Sequence, residues 1–280
     1  MIVRHQADGS LVAIAQNDHG TISGLCAAHW GNARFEKPRP YESCVRAAYW
    51  HDLVWLKEET NPRFDSKTGF TPNFLDVPNE TQLDAYKWAN EWVANVDRYA
   101  GLLVNKHRTG IWRSRYGMMK SPSYAPRELP SEIEAFVALS HAEQNAIAAA
   151  AGFDQRELTI NYNLLQIWDL LSLFICTKEH IKESTFEPVP TTYSKEGGIC
   201  MRLTPITQTR ISIDPYPFDQ PTLEMKVVHR RLPKQHYDDA QAFQTAFMKA
   251  EPQVTTFTYV DPEATRGSSG VTHTAKEPVR

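Results

Sequence analysis

Ala47-Ala48-Tyr49-Trp50-His51-Asp52-Leu53-Val54-Trp55 is a mostly apolar stretch that carries one adjacent histidine–aspartate pair. Apolar residues three and four positions from His51 share its side of a helix, and the pattern predicts a helix over residues 41–57. The pair would then lie on or beside a buried face. Burying an unpaired imidazole or carboxylate is costly, and a metal ion is one partner that satisfies both groups. The question is whether the rest of the chain supplies further ligands.

Three other helical patterns each carry one metal-competent side chain in an apolar seam. A helix over residues 17–30 has His19 on its apolar face. A long pattern that begins at residue 79 ends its stripe in His107, and a helix over residues 154–178 has Asp169 as the one carboxylate of its seam. Alternate spacings of four and three residues along the last two stripes are typical of one continuous helical face.

The composition limits the class of protein. The chain has 280 residues, of which 41% are hydrophobic, and this suits one large or two small domains with a substantial core. The net charge of -3 argues against nucleic acid or an anionic membrane as a partner. There is no apolar run of about eighteen residues that could span a membrane and no signal-peptide core. Four cysteines without a CxxC pair suit reduced thiols, so we expect a cytoplasmic protein.

The two ends of the chain have the texture of β-structure. Apolar runs at residues 2–4 and 11–15 flank a turn at Gly9 and predict a β-hairpin. Residues 200–214 and 222–232 are expected to form a second hairpin, which could pair with the first.

These patterns predict a mainly α fold, a helical bundle with small β-hairpins from the N- and C-terminal segments. Residues 1–260 are expected to form one domain. The Gly, Ser, Thr and charged residues at 261–280 are expected to form a disordered tail. Residues 61–78 are rich in Pro, Asp, Gly and Asn and are expected to form a loop. The loop would lie beside the His51-Asp52 pair, called the doublet below, and could cover a site there.

The candidate ligands follow one another as H…HD…H…D, and imidazoles and carboxylates on the helices of a bundle are the usual ligands of iron, manganese or zinc. The members of this set are His19, His51, Asp52, His107 and Asp169. Their order resembles the HD-domain superfamily of metal-dependent phosphohydrolases, in which an H…HD…D set binds the metal. The resemblance implies an HD-like bundle with a helical metal-binding core at about residues 17–182. It implies that His19, His51, Asp52 and Asp169 are metal ligands. It matches His107 to one of the additional histidines that dinuclear members of the superfamily carry.

The sequence departs from the HD pattern at two points. Val54 and Trp55 stand where many HD phosphohydrolases have a glycine and a lysine. Dinuclear members have two histidines between the doublet and the last aspartate, and the only candidates here are His107 and His141. His141 lies in a polar stretch that is typical of a solvated helix start. The resemblance therefore implies one divalent ion and leaves a second one open.

The whole chain also resembles a bacterial family described as a domain of unknown function. The resemblance lies in Met1-Ile2-Val3-Arg4, Asp18-His19, Ala28-His29-Trp30-Gly31-Asn32, the helix of the doublet, Asp65-Ser66-Lys67-Thr68-Gly69 and Pro215-Tyr216-Pro217-Phe218. This second resemblance implies a family but no reaction.

The function that follows is a metal-dependent hydrolase that acts on a phosphoester or another small anion through a metal-activated water. Asp52 and His107 are the expected catalytic residues, with Asp52 ligating or orienting the water. Lys106, Arg108 and Arg113 are the expected substrate-binding cations because they flank His107, and a guanidinium pairs well with phosphate.

Two alternatives stay open. Some members of the superfamily activate dioxygen at a di-iron site, so the protein could be an HD-type oxygenase. It could instead be a catalytically inactive binding module in which the seam residues form a buried hydrogen-bonded network without metal. Metal content separates the inactive module from the two enzymes, and oxygen consumption separates the enzymes from each other. The sequence leaves the oligomeric state open.

Overall fold

The computed structural model describes residues 1–117, 128–195 and 197–263. Its helices and strands follow the chain in the order β1 (Ile2–His5), β2 (Leu11–Ile14), α1 (Gln16–Ala28), α2 (Tyr41–Trp50), α3 (Leu56–Thr60), α4 (Asn79–Val96), α5 (Arg98–Trp112), α6 (Ser131–Ala151), α7 (Gln155–Cys176), β3 (Ser184–Val189), β4 (Ile199–Pro205), β5 (Arg210–Asp214), β6 (Thr222–Leu232), α8 (Ala240–Lys249) and β7 (Pro252–Val260). Short 3-10 turns lie at Leu53–Trp55, Phe74–Asp76 and Ser114–Gly117.

The prediction of a mainly α, HD-like bundle was wrong. The protein is 49% helical and 20% strand, and its strands join one curled seven-stranded sheet in the order β1-β2-β6-β7-β5-β4-β3. Helices and sheet share one large core, to which α7 contributes Trp168 and β6 contributes Met225. The sheet is therefore a layer of the fold and not an addition to a bundle.

Strands β3 and β7 were not predicted from the sequence, and β7 joins the two halves of the sheet. It pairs antiparallel with β6 and parallel with β5. Only its last residues are consistently buried, while its first half is exposed. A strand is recognised in a sequence by the alternation of buried and exposed side chains, and in β7 that alternation is limited to residues 256–259.

The N-terminal hairpin is confirmed, with β1 antiparallel to β2 from Ile2 opposite Ile14 to His5 opposite Leu11. The expected contact between the two ends of the chain is also confirmed, because β2 pairs with β6. The predicted hairpin of residues 200–214 with 222–232 was wrong. Residues 200–214 hold two strands, β4 and β5, which pair with each other, and β7 lies between β5 and β6.

The long helix predicted from residue 79 to His107 is broken at Asp97. This residue is extended (φ -152°, ψ 109°) and caps α5, because its Oδ1 accepts a hydrogen bond from the Ala100 amide at 3.0 Å. Helices α4 and α5 then pack closely, since a Cβ on Gly101 would lie 2.6 Å from the Ala94 Cα. The break turns α5 back into the core and carries His107 with it.

The remaining expectations concern the chain as a whole. Within the described ranges, no helix is long and apolar enough to cross a membrane. The predicted tail at 261–280 lies outside the described residues from position 264 onward, and the single domain over residues 1–260 stays a prediction.

Candidate metal centre

The helix of the doublet ends earlier than its sequence pattern predicts, and this early end shapes the site. Helix α2 stops at Trp50, Asp52 has a non-helical backbone (φ -112°, ψ 18°), and a 3-10 turn follows. In a continuous helix, adjacent side chains point about 100° apart. The turn allows both side chains of the pair to face the same point between the helices.

All five predicted centre residues meet at this point, and none is more than 5% exposed. Helix α1 supplies His19, the turn after α2 supplies His51 and Asp52, α5 supplies His107 and α7 supplies Asp169. Two overlapping groups have ligand atoms that all lie within 4.8 Å of one another: His19, His51 and Asp169, and His51, Asp52 and His107.

The distances suit the coordination sphere of one ion. His19 Nε2 lies 3.0 Å from His51 Nε2, 3.1 Å from Asp169 Oδ1 and 3.6 Å from Asp52 Oδ2. His51 Nε2 lies 3.5 Å from Asp169 Oδ1 and 3.7 Å from Asp52 Oδ2. Donor atoms bound at about 2.0–2.2 Å to the same ion are roughly 3 to 3.5 Å from each other.

Hydrogen bonds on the outer side of both imidazoles direct their lone pairs into the centre. His51 Nδ1 lies 2.8 Å from the Ala48 carbonyl oxygen, which can only accept, so Nδ1 carries the proton. Ser172 Oγ donates to the Asp169 carbonyl oxygen at 2.8 Å and therefore accepts from His19 Nδ1 at 2.5 Å. Each neutral ring then presents an unprotonated Nε2, as metal-binding histidines do.

Two imidazole lone pairs and two carboxylates need a cation between them, and without a metal that cation is a proton on His19. Burial alone would lower the pKa of His19, but hydrogen bonds to Asp169 and Asp52 raise it to about 9. The donor set thus fits a divalent ion, which would replace that proton.

Each carboxylate has a buried arginine behind it. The Arg108 guanidinium stacks 3.7 Å above the Tyr86 ring, with Nη2 4.0 Å from Asp52 Oδ1. Arg115 Nη2 donates to Asp169 Oδ2 at 2.8 Å. Both carboxyls stay ionised as a result. Burial would raise their pKa values, but the imidazoles of the centre together with these guanidinium groups hold the pKa of each carboxyl well below its usual range.

His107 takes part in the centre differently from the other histidines. Gln166 Oε1 accepts a hydrogen bond from Arg115 Nη1, which can only donate, so the amide Nε2 faces His107 and donates to its Nδ1 at 3.1 Å. Burial, followed by the nearby His51, lowers the pKa of His107 well below its ordinary value. The ring is therefore neutral, with one nitrogen accepting from Gln166 and the other carrying a proton. This arrangement favours the other four residues as ligands, with His107 as a hydrogen-bond donor beside them.

A cavity of about 680 Å³ opens onto the centre, and four of the centre residues line it: His19, Asp52, His107 and Asp169. Most of the remaining wall is apolar and aromatic. Phe74, from the predicted loop at residues 61–78, is part of this wall. The loop thus borders the site, and its role as a cover of the site stays a prediction.

The structure does not bring the predicted substrate-binding cations to this cavity. Arg108 is fully buried behind Asp52, and Arg113 forms an ion pair with Glu134 at 3.2 Å near the surface. Lys106 is half-buried, and burial lowers its pKa. None of the three is among the residues that line the cavity. His141 lies inside α6, only partly buried, and is also absent from the lining.

Sequence reasoning assigned no role to Gln16, Gln166 and Ser172, and it considered Arg115 only as a cation near His107 and not as the partner of Asp169. Gln166 and Ser172 stand three positions before and after Asp169 in an otherwise apolar helix, and that spacing is a usable signal. Arg115 has φ 53°, a conformation that costs about 1–3 kcal/mol outside glycine. Its ion pair with Asp169 can offset that cost, and no sequence pattern indicates the turn.

Comparison with known proteins identifies a family but no activity. The family model described as "Protein of unknown function (DUF3891)" matches residues 1–234. The comparison with curated proteins gave no match, and neither did the comparison with solved structures. The resemblance to a family of unknown function is thereby confirmed, whereas nothing in the comparisons supports a relationship to the HD superfamily.

Proposed function

We propose that this chain, which belongs to the DUF3891 family, is a metal-dependent hydrolase that acts on a small phosphoester or a related anion. The observation that carries the proposal is that His19 Nε2 and His51 Nε2 each lie 3.1–3.7 Å from a carboxylate oxygen of both Asp52 and Asp169, beside a cavity. His19, His51, Asp52 and Asp169 would hold the ion. When bound there, a divalent ion supplies Lewis acidity and lowers the pKa of a water molecule.

The charge balance of the buried groups supports an anionic substrate. Arg108 offsets the charge of Asp52, and Arg115 offsets that of Asp169. The charge of a divalent ion at this point would therefore not be neutralised by its ligands. A desolvated site with excess positive charge favours anions, and the neutral imidazole of His107 adds an N–H donor beside the ligands.

Gln16 is the chain's own candidate for orienting a water molecule or a substrate hydroxyl. Its Nε2 donates to Asp52 Oδ2 at 3.1 Å, which holds the amide in place. Its Oε1 is buried and has no hydrogen-bond partner among the described residues, although the side chain lines the cavity. An unpaired buried acceptor costs free energy, which a bound donor would recover.

The Gln16→Met variant is expected to lower kcat about tenfold, the value of one lost hydrogen bond, with metal content and KM little changed. Gln144→Met is the matched control, because Gln144 is also a buried glutamine but bonds Asn105 and Thr109 away from the cavity. Steady-state kinetics with metal analysis checks this result. A kcat for Gln16→Met equal to that of the control would exclude the role.

The proposal is tested by plasma mass spectrometry of protein purified without added metal, followed by phosphoester hydrolysis assays. We expect about one equivalent of iron, manganese or zinc, and turnover that stops on chelation and returns with the ion. Protein that takes up no metal even after reconstitution would contradict the proposal.

The second candidate is the inactive binding module, and one observation favours it. A single proton on His19 already satisfies both carboxylates, since its pKa is raised to about 9 by those contacts. A buried network of this kind can be stable without an ion. The metal measurement above decides between the two. The oxygenase alternative stays a prediction, and oxygen consumption would test it.

A further inference from the structure

We infer that the substrate combines one anionic head group with a bulky apolar body, of at least the size of a fused pair of rings. The inference rests on the proposed function for the head group and on the cavity walls for the body. It predicts that a nucleoside polyphosphate binds more weakly than such a compound.

The cavity wall beyond the centre is built from packed aromatic rings. The ring centroids of Trp55 and Tyr86 lie 6.4 Å apart, and those of Tyr86 and Trp112 lie 5.0 Å apart. Ile133, which is almost fully buried, and Leu173 extend the apolar surface. An apolar ligand that buries its surface against such a wall gains binding free energy, whereas a hydrated ligand gains little from it.

The cavity is much larger than a phosphate group needs. Its volume of about 680 Å³ lies in the range of roughly 300–1,000 Å³ that is typical of sites for drug-sized organic molecules. An inorganic anion or a very small ester at the centre would leave most of the apolar wall facing water. The body of the substrate is therefore expected to fill that space.

Two polar side chains of the wall, Gln82 and Tyr86, already have partners within the protein. Gln82 donates through Nε2 to the Val77 carbonyl oxygen at 2.7 Å and accepts at Oε1 from the Tyr86 hydroxyl at 2.8 Å. These groups are not available to the hydroxyls of a ribose. A sugar that loses its water without new hydrogen bonds would bind weakly.

The described part of the lining has no second cation for a polyphosphate. Arg115 is its one arginine, it holds no lysine, and Arg115 already bonds Asp169 and Gln166. Glu128 adds a negative charge to the same wall. Within the described lining, a chain of phosphates extending from the centre would meet aromatic rings and a carboxylate, which favours a single anionic group.

The test is a calorimetric titration of the metal-reconstituted full chain with two phosphonates, which cannot be hydrolysed at phosphorus. 2-Naphthylmethylphosphonate is expected to bind at least about tenfold more tightly than methylphosphonate, because its rings bury apolar surface. ATP is expected to bind more weakly than the naphthyl compound. Equal affinities for the two phosphonates, or tighter binding of ATP, would overturn the inference.

A pair of variants locates the binding. Ile111 lines the cavity and is half-buried, so Ile111→Lys places a cation against the apolar wall and should reduce the affinity for the naphthyl compound about tenfold or more. Leu139→Lys is the matched control, because Leu139 is 67% exposed and does not line the cavity. A loss of affinity of the same size in both variants would contradict the assignment of the apolar body to this cavity.

The outcomes separate this inference from the proposed function. If neither phosphonate binds and the metal is absent, the proposed function falls and the inference falls with it. If both bind to the metal form with the same affinity, the hydrolase proposal stands and the apolar preference is wrong. A naphthyl preference that Ile111→Lys removes supports both.

Discussion

Asp169→Asn is expected to reduce bound metal to below about a tenth of an equivalent and to lower phosphoester hydrolysis at least about 100-fold, more than the loss typical of residues behind the ligands. Asp169 Oδ1 lies 3.1 Å from His19 Nε2 and 3.5 Å from His51 Nε2, within the proposed ligand set. An amide carries no charge, so it binds a divalent ion far more weakly. It also leaves the buried Arg115 without its counter-charge.

The matched control for this change is Asp219→Asn. Asp219 also pairs with a histidine, since its Oδ1 lies 3.0 Å from His29 Nδ1, but this pair is partly exposed and lies outside the centre. Its metal content and activity are expected to stay at the wild-type level. Metal analysis and kinetics of the two variants side by side are the measurement. A full equivalent of metal in Asp169→Asn would remove Asp169 from the ligand set.

Breaking a buried ion pair can cost about 3–5 kcal/mol of stability, so a second variant keeps the test decisive if Asp169→Asn does not fold. Ser172→Ala leaves the Asp169–Arg115 pair intact and removes the oxygen that accepts from His19 Nδ1. Loss of such a supporting hydrogen bond typically weakens metal binding about 10- to 100-fold. A folded Ser172→Ala protein with wild-type metal affinity would argue against His19 as a ligand.

The apparent affinity for the metal is expected to rise about tenfold from pH 7 to pH 8 and about 50-fold in total from pH 7 to pH 9. Without metal, His19 holds a proton because contacts with Asp169 and Asp52 raise its pKa to about 9 despite burial. The ion must displace that proton. Below pH 9, each further decrease of one pH unit makes the His19 proton about ten times harder to displace. Above pH 9 the proton is already lost, so the metal affinity no longer depends on it.

Competition titrations with a chelating dye at several pH values, corrected for the protonation of the dye, measure this dependence. The same proton determines the stability of the metal-free protein. The contribution of His19 is complete below pH 6.5 and is lost as the pH rises through about 9, whereas the contribution of Asp52 and Asp169 is lost only as the pH falls below about 4. Metal-free protein should therefore become less stable between pH 7 and 9. A metal affinity that does not change between pH 7 and 9 would show that His19 carries no proton in the metal-free protein.

Much of the candidate centre could be predicted from local patterns. Period-3.6 seams identified His19 and Asp169, each as a metal-competent side chain on a mostly apolar helical face. Such a residue must find a partner in the core, so the sequence predicted that these side chains would meet. Their convergence with His51, Asp52 and His107 follows from that requirement.

The residues that complete the site could not be predicted, because their contacts join distant parts of the chain. Gln166 is oriented by Arg115, 51 positions away, and Arg115 reaches it through a backbone with positive φ. The Gln16 amide meets Asp52 only after α1 packs beside the turn that follows α2. No periodicity within one element encodes such a pairing.

The sequence by itself determined which helical faces are apolar, where metal-competent side chains interrupt them, and that the two ends of the chain contain strands that pair. Only the tertiary structure decided the fold class and the roles within the centre. Strand β7 is set by its partners β5 and β6, since half of it is exposed and shows little alternation. The roles of the three histidines depend on which atom lies behind each ring, whether Ala48, Ser172 or Gln166. A hydrogen bond between distant elements fixes the tautomer, and so decides whether a buried imidazole presents a lone pair or a proton.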